Sequence, residues 1–201
     1  MKLLSKILVP TMTIASMATV CSCSLKNLKA LDQKYFEIDG TILKDFKAEY
    51  KKKDSIEDSK YKLTIFKNIT ALSNLAFNAD VEYNSTDLIQ MIDYEPNCAC
   101  STFGGSSFGG CVNLETVIFP PKFASFGSNL FLDCSKLTTL DLSNIEGEVT
   151  FTEWLAPADK DWAKTGKIIY DGTKPNQVQL ALDMLTVINA GGTNHWTLKT
   201  K

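Results

Sequence analysis

The chain has 201 residues, of which 44% are hydrophobic and 22% charged, and its formal net charge is −2. These values are typical of a folded globular protein with one domain, or one domain and a tail, and they exclude a disordered chain. All 21 basic residues are lysines, so the bidentate contacts that arginine makes with phosphate are absent. The longest basic run is only Lys51–Lys53, and we therefore expect no binding to nucleic acid.

The N-terminus has the features of an export signal. Lys2 and Lys6 precede an uncharged apolar stretch at residues 7–20, which is too short and wrongly flanked for a membrane span. Small residues follow this stretch, as they do before a cleavage site. Residues 1–22 are therefore predicted to be a signal peptide, and the protein is predicted to be exported.

The end of this signal, Val20-Cys21-Ser22-Cys23, resembles a bacterial lipobox, with an aliphatic residue at position −3 and a small residue at −1. The resemblance implies that Cys23 is acylated, for example with palmitate, and anchors the chain to the outer face of the cell membrane. Cleavage before Cys21 would place Val20 at −1, which fits poorly. The alternative is an ordinary signal peptide with an incidental cysteine.

Two series of apolar residues between 24 and 50 recur at helical spacing and predict two short amphipathic helices. Asp39-Gly40 between them is a turn signal. We interpret residues 23–59 as a lysine-rich helical segment that caps the domain after it, and a flexible tether beside the lipid anchor is an equal alternative. The two series are Leu25, Leu28, Leu31 and Tyr35, and Ile42, Leu43, Phe46 and Tyr50.

The pattern Phe-x-x-Cys-x-x-Leu occurs twice, at residues 108–114 and 131–137, with a separation of 23 residues. A degenerate third copy lies at residues 69–80 and carries Asp80 in place of the cysteine. Self-similarity at such a period is typical of a solenoid, which we place at residues 60–145. Equivalent residues of successive copies are expected to stack into one core. The predicted core residues are Leu72, Phe77, Phe103, Phe108, Cys111, Leu114, Phe126, Phe131, Cys134 and Leu137.

The first repeat is longer than the others. Leu72 and Phe103 occupy equivalent positions but are separated by 31 residues, eight more than the two good copies. We assign the surplus to residues 94–101 and predict a protruding loop. Inserted loops on one face of a solenoid are common binding sites. The candidate binding residues of this loop are Tyr94, Glu95, Asn97, Cys98 and Cys100.

Residues 146–201 leave the repeat pattern and are interpreted as a C-terminal cap. Lys167–Tyr170 is typical of a strand, Pro175 suits the first turn of a helix, and Gly191-Gly192 would end that helix. A strand followed by a helix would cover the exposed core of the last repeat. The sequence thus predicts an α+β repeat solenoid with a helical N-terminal segment and a C-terminal β-α cap. The predicted apolar face of the last helix is Val178, Ala181, Leu182, Leu185 and Ile188.

The repeats resemble the BspA-like leucine-rich repeats of bacterial and protozoan surface proteins. The resemblance rests on Leu75-Ala76-Phe77 and on the two Phe-x-x-Cys-x-x-Leu copies, and residues 139–144 are similar to repeats of mycoplasma-type lipoproteins. It implies a short leucine-rich-repeat stack, display at the cell surface and adhesion to a host or other cell-surface protein, without a cofactor. A solute-binding lipoprotein of a transporter is an alternative, although the chain has no two-lobed α/β pattern.

Four cysteines raise the question of a disulfide or a metal site. Stacked repeats would bring the Cα atoms of Cys111 and Cys134 into the range of about 4.4–6.8 Å that a disulfide requires. Export would permit this oxidation, and the alternative is that each cysteine is a small buried apolar residue. Cys98 and Cys100 complete a set of four thiols, but their C-x-C spacing departs from the C-x₂-C pairs of structural zinc sites. We therefore expect no metal.

Residues 105–109 match the G-x-S-x-G motif of α/β-hydrolases, and His195 is the only histidine of the chain. A secreted serine hydrolase that uses Ser107 and His195 is therefore an alternative function. The motif needs a buried strand directly before it, which the polar residues upstream do not resemble. The repeat also explains the glycines, because Gly104 aligns with Gly127. We therefore expect a binding protein and no enzyme.

Overall fold

The structure is a computed structural model that describes residues 28–56, 61–79, 85–150, 162–190 and 192–201. The predictions of a signal peptide, of acylation at Cys23 and of a cysteine replacement at Asp80 lie outside these described residues. The elements in chain order are β1 (Lys29–Ala30), β2 (Phe36–Asp39), β3 (Ile42–Phe46), β4 (Tyr61–Ile65), β5 (Ala71–Leu72), β6 (Ile89–Tyr94), β7 (Thr102–Phe103), β8 (Thr116–Ile118), β9 (Ser125–Phe126), β10 (Thr139–Asp141), β11 (Thr165–Tyr170), α1 (Pro175–Asn189) and β12 (His195–Thr200). Short 3₁₀ helices lie at Gln33–Tyr35, Ala48–Tyr50, Lys53–Ser55 and Ser85–Leu88.

The strands form two sheets, and from β4 to β10 successive strands alternate between them. The first sheet has seven parallel strands in the order β1-β4-β6-β8-β10-β11-β12. The second has five strands in the order β2-β3-β5-β7-β9, of which only β2 and β3 are antiparallel. Each coil of the repeat region therefore contributes one strand to each sheet, and buried side chains of both sheets form one core. The predicted repeat solenoid is confirmed.

One apolar residue of each strand forms a buried ladder under the seven-stranded sheet. Side chains alternate between the two faces of a strand, so residues in register line the same face. The strands β4, β6, β8, β10 and β11 place Leu63, Ile92, Val117, Leu140 and Ile168 in register, and all five are fully buried. Burial of each such side chain stabilises the fold by about 1.5–3 kcal/mol.

A second ladder is aromatic and runs along the stack from end to end. The ring of Phe108 stacks on Phe77 with their centroids 5.7 Å apart and on Phe131 with their centroids 5.8 Å apart. At the two ends, Phe46 contacts Phe77 at 5.5 Å and Trp162 contacts Phe131 at 6.1 Å, both edge-to-face. Such pairs add about 0.5–1.5 kcal/mol each beyond the burial of area. The ladder therefore couples the N-terminal hairpin to the C-terminal cap.

Two glycines occupy equivalent positions at which the stacked backbones approach closely. A Cβ on Gly127 would lie 2.2 Å from the carbonyl carbon of Gly104, and a Cβ on Gly104 would lie 2.5 Å from that of Ser73. No side chain fits at either position unless the backbone moves. These glycines therefore serve the stacking of coils.

The prediction of a helical N-terminal segment is wrong. Residues 36–46 form the antiparallel hairpin β2–β3, which turns at Gly40 with a φ of 59°. The strand β3 then pairs in parallel with β5, and both Leu43 and Phe46 are buried. The apolar spacing suits a helix as well as a bulged strand. The strand is favoured because it continues the five-stranded sheet and covers an otherwise open edge.

The C-terminal cap contains the predicted strand and helix and one further strand. The strand predicted at Lys167–Tyr170 lies within β11, and the helix begins at Pro175 as predicted. The buried face of this helix differs from the prediction, because Leu182 is 45% exposed. Its buried residues are Gln177, Leu180, Ala181, Met184 and Ile188. The strand β12 adds the last strand of the seven-stranded sheet.

Polar contacts determine how the cap sits on the last coil. The amide of Gln177 donates hydrogen bonds to the carbonyl oxygens of Ser143 and Ile145, at 3.2 and 2.6 Å, and so turns this side of the helix inward. The indole Nε1 of Trp162 donates to the carbonyl oxygen of Phe131 at 2.8 Å.

Among the described residues, no helix combines the length and the apolar composition that a membrane span needs.

Most of the extra residues of the first repeat lie earlier than predicted. Leu72 and Ile92 are 20 residues apart, whereas the equivalent Phe103 and Val117 are 14 apart. The next segment, from Ile92 to Phe103, exceeds its equivalent from Val117 to Phe126 by only two residues. Six of the eight extra residues therefore precede Ile92, in the segment where the chain crosses from the five-stranded sheet to the seven-stranded one.

Candidate functional site

The outer sheet face is the side of the seven-stranded sheet that points away from the core. The residues between the buried ones form two rows on this face because side chains alternate along each strand. The first row is Lys62, Met91, Thr116, Thr139, Lys167 and Thr197, and the second row is Thr64, Asp93, Ile118, Asp141, Ile169 and Lys199. Sequence analysis did not identify this face, although the alternation in residues 61–65 is a signal that could have done so.

The middle of the outer sheet face is acidic. Asp93 forms an ion pair with Lys62 at 2.7 Å and accepts a hydrogen bond from the hydroxyl of Thr64 at 2.7 Å. Asp141 accepts a hydrogen bond from the backbone N–H of Ser143 at 2.9 Å. These intramolecular contacts hold both carboxylates in one orientation.

The C-terminal edge of the same face is basic. Lys167 lies on β11 and Lys199 on β12, and the register places them as diagonal neighbours on one side of the sheet. Ile118 lies beside Asp141, Ile169 lies between Asp141 and Lys199, and both isoleucines are only partly buried. On this open face, apolar side chains alternate with charged ones and could form contacts of both kinds.

Tyr94 lies at the end of β6, beside the acidic middle of the face. Burial raises the pKa of its hydroxyl, and the nearby carboxylate of Asp141 raises it further. The hydroxyl therefore stays neutral and able to donate a hydrogen bond over the physiological range of pH.

The predicted binding loop does not protrude as a whole. The backbone N–H of Glu95 donates to the carbonyl oxygen of Ile65 at 2.9 Å, and the Glu95 carboxylate accepts from the backbone N–H of Lys67 at 2.9 Å. These bonds tie the loop to the preceding coil. Tyr94 and Glu95 are half-buried, Cys98 and Cys100 are buried, and only Pro96 and Asn97 are exposed. The prediction of a protruding loop therefore holds only for this two-residue tip.

The four described cysteines are free and buried. Cys111 donates to the carbonyl oxygen of Phe77 at 3.4 Å, and Cys134 donates to that of Phe108 at 3.1 Å. Each thiol thus donates to the backbone of the preceding coil. Cys111 and Cys134 therefore do not form the disulfide that was one of the two alternatives. Burial raises the pKa of every one of these thiols, and that of Cys100 reaches about 12. Among the described residues, no three His, Cys, Asp or Glu side chains are grouped to hold a metal ion.

The structure gives no support to a hydrolase that uses Ser107 and His195. Ser107 is fully buried, and its hydroxyl lies 3.0 Å from the carbonyl oxygen of Ser73 and within hydrogen-bonding distance of that of Gly104. His195 is exposed and lies on β12, at the end of the other sheet. The serine therefore links two coils, and His195 does not lie beside it.

All ten predicted core residues are buried. Their exposed fractions do not exceed 7%, the value for Phe126.

A pocket of about 220 Å³, which was not predicted from the sequence, lies at the start of the stack. We call it the first-coil pocket, and its lining residues are Asp45, Phe46, Lys51, Leu75, Asn78, Ser85 and Thr86.

Stacked coils with one strand in each of two sheets define a leucine-rich-repeat solenoid. The model of the BspA type leucine-rich repeat region matches residues 40–152 in six copies, which is more than half of the chain. The chain therefore belongs to the BspA-type leucine-rich repeat family. The crystal structure of the T. pallidum leucine-rich repeat protein, TpLRR, is similar to 70% of this chain over 71% of its own, with 16% identity and a TM-score of 0.38. No curated protein sequence matches the chain.

Proposed function

We propose that the protein is an exported lipoprotein, held at the outer face of the cell membrane through Cys23, that binds a host or other cell-surface protein without catalysis. The outer sheet face is the binding surface in this proposal. The observation that supports it is the row of Ile118, Asp141, Ile169 and Lys199, in which partly buried isoleucines alternate with charged side chains. Solenoids commonly use such extended surfaces for binding.

Preorganisation favours this surface over a flexible loop. Asp93 is already held by Lys62 and Thr64, so a partner need not order it on binding. The acidic middle and the basic edge together define an orientation. A partner with a basic patch followed by an acidic one would dock in one direction only, because the reverse places like charges together.

Binding of the full-length chain to a panel of matrix proteins and host cells tests this role. The double variant Ile118→Ser, Ile169→Ser should lower affinity at least about tenfold, since it removes apolar contacts from the centre of the interface. Both side chains are only partly buried, so the variant should remain folded, which circular dichroism would verify.

The matched control is the double variant Val112→Ser, Leu132→Ser. Both residues are 39% exposed and lie in turns away from the outer sheet face. The control should bind as the unaltered chain does. Equal losses in the two double variants would argue against a role for the sheet face. Replacement of Pro96-Asn97 by two glycines would show how much the exposed loop tip adds.

The anchor is tested separately, in bacteria fed with labelled palmitate. Cys23→Ser should abolish incorporation of the label, and Cys21→Ser should retain it, because Cys23 follows the small residue Ser22 whereas Cys21 follows Val20. The unaltered chain should partition into the detergent phase. Partition into the aqueous phase, without any label, would refute the lipoprotein proposal but leave the sheet face to be tested on its own.

A further inference from the structure

The row of Ile118, Asp141, Ile169 and Lys199 on the outer sheet face has a regular spacing. These residues lie on the neighbouring strands β8, β10, β11 and β12, and the register places each one beside the next. Neighbouring strands of a sheet are about 4.7–4.9 Å apart. Asp141 and Lys199 are two strands apart, so two residues of opposite charge are separated by about 9.6 Å across the sheet.

The side chains of this row are accessible to a ligand. Lys199 is exposed, and Ile118, Asp141 and Ile169 are partly buried. One carboxylate oxygen of Asp141 accepts the backbone N–H of Ser143 at 2.9 Å. A carboxylate has about four acceptor sites, so Asp141 can also accept hydrogen bonds from a cationic group of a ligand.

The other charges near the row make Asp141 and Lys199 the two principal contacts. Asp93 continues the row on β6, but it already pairs with Lys62 at 2.7 Å, and its side chain is only 19% exposed. Lys167 is a diagonal neighbour of both Asp141 and Lys199 and adds a second cation at the basic edge. The row is therefore negative at β10 and positive at β12.

The outer sheet face offers side chains to a ligand and few backbone groups. The backbone N–H and C=O groups of β8, β10 and β11 pair with neighbouring strands on both sides. A peptide that lies across these strands cannot bond to them, and burying its own N–H groups against the isoleucines costs free energy. A proline-rich segment in the polyproline II conformation avoids this cost, because proline has no N–H.

The spacing of the two charges selects the same conformation. Polyproline II has three residues per turn and a rise of about 3.1 Å, so residues i and i+3 lie on one side about 9.3 Å apart. This distance is close to the separation of about 9.6 Å between strands β10 and β12. Residues on one face of an extended strand are about 6.4–6.8 Å apart, and those on one side of an α-helix are about 5.4 or 10.5 Å apart.

We propose that the outer sheet face binds a polyproline II segment of its partner, with a basic residue at i, an acidic residue at i+3 and prolines around them. This inference rests on the proposed function and names the part of the partner that docks. The basic residue faces Asp141 and the acidic residue faces Lys199, so each charge meets its opposite. The prolines pack against Ile118 and Ile169. Such a segment is extended before it binds, so little conformational entropy is lost.

Fluorescence anisotropy of a labelled synthetic peptide, titrated with the purified full-length chain, tests the proposal. The peptide Pro-Pro-Pro-Lys-Pro-Pro-Glu-Pro-Pro-Pro has the proposed spacing. The control Pro-Pro-Pro-Lys-Pro-Glu-Pro-Pro-Pro-Pro has the same composition, but its charges lie on different sides of the helix. We expect saturable binding of the first peptide and at least about threefold weaker binding of the control. Absence of saturation up to about 2 mM, or equal affinities, would overturn the proposal.

A charge exchange tests the orientation of the peptide. Lys199→Glu alters an exposed side chain, so the variant should remain folded, which circular dichroism would verify. It should bind the first peptide about fivefold more weakly and should prefer a peptide with lysine in place of the glutamate. Lys122→Glu is the control, because this exposed lysine lies in the turn before β9 of the other sheet, and its preference should be that of the unaltered chain. An unchanged preference in Lys199→Glu would refute the assignment.

The double variant Ile118→Ser, Ile169→Ser separates this inference from the proposed function. It should weaken binding of the peptide as well as binding of a protein partner, and the peptide should displace that partner. A partner that needs both isoleucines but is not displaced by the peptide would overturn the polyproline II inference and leave the proposed function intact. Peptide binding that is unaffected by the double variant would also overturn it, because the peptide would then bind elsewhere.

Discussion

The regular coils, residues 102–142, and the first coil, residues 61–94, are built from the same repeat but differ in what they expose. In the regular coils, the residue type suits the backbone at each unusual position. Gly104 and Gly127 lie where the backbones of two coils approach closely, and Ser106 and Asn129 lie where the backbone is left-handed. The first coil has Leu75 in that conformation, six extra residues and a pocket. Where the period is constant, the side chains at equivalent positions stack on one another. The exposed leucine, the extra residues and the pocket occur where the period changes.

The largest effect is expected in thiol chemistry, as a difference between the native and the unfolded protein. Burial raises the pKa of Cys100 to about 12, so at pH 8 its thiolate fraction is about a thousandfold below that of a free cysteine. Cys111 and Cys134 in the regular coils should be at least as inert. In native protein that carries Cys21→Ser and Cys23→Ser, Ellman's reagent should therefore react only after unfolding by urea. Rapid reaction of Cys111 or Cys134 under native conditions would contradict the tight stacking of the regular coils.

The aromatic ladder should make the regular coils sensitive to truncation. Phe131→Ala removes a ring stacked on Phe108 and should lower the free energy of unfolding by about 3–5 kcal/mol. The adjacent Leu132→Ala, in which a 39% exposed side chain is shortened, should cost less than about 1 kcal/mol. Urea unfolding followed by tryptophan fluorescence would measure both, and similar costs would refute the ladder.

The close approach of coils predicts an intermediate effect. Gly127→Ala would place a Cβ against the backbone of Gly104 and should cost about 1–3 kcal/mol. Gly147→Ala is the control, because a Cβ there meets no atom within 4 Å. The same unfolding experiment compares them, and a tolerated Gly127→Ala would mean that the coils can separate without loss of stability.

A reciprocal exchange tests the smallest difference between the regions. Leu75→Asn should stabilise the protein by roughly 1 kcal/mol, because asparagine tolerates a positive φ and little apolar area is lost. Asn129→Leu should destabilise it by a similar amount. A destabilising Leu75→Asn would contradict the strain at this position.

The repeat core could be predicted because its signal is local and occurs more than once. Two copies of one pattern at a constant spacing are enough to align Phe108 with Phe131 and Cys111 with Cys134, and stacking then implies burial. The N-terminal segment could not be predicted in the same way. Its spacing fits two secondary structures, and pairing of β3 with β5, which is distant in sequence, selects the strand.

The candidate sites were harder to predict than the core. The extra length of the first repeat was visible, but only the register of the strands shows that most of it precedes Ile92. The outer sheet face depends on which residues of six neighbouring strands come into register. The pocket depends on Asp45 and Thr86, which lie in different segments and meet only after folding.

The sequence by itself determined that this protein is a leucine-rich-repeat solenoid with a capped C-terminal end, because periodic apolar residues can bury themselves only by stacking. The tertiary structure alone decided that residues 36–46 form a hairpin, that Ser107 is a buried link between coils, and that Leu75 and Thr86 border one pocket. These outcomes depend on contacts between residues far apart in the chain. Such contacts have no period, so no spacing in the sequence could have indicated them.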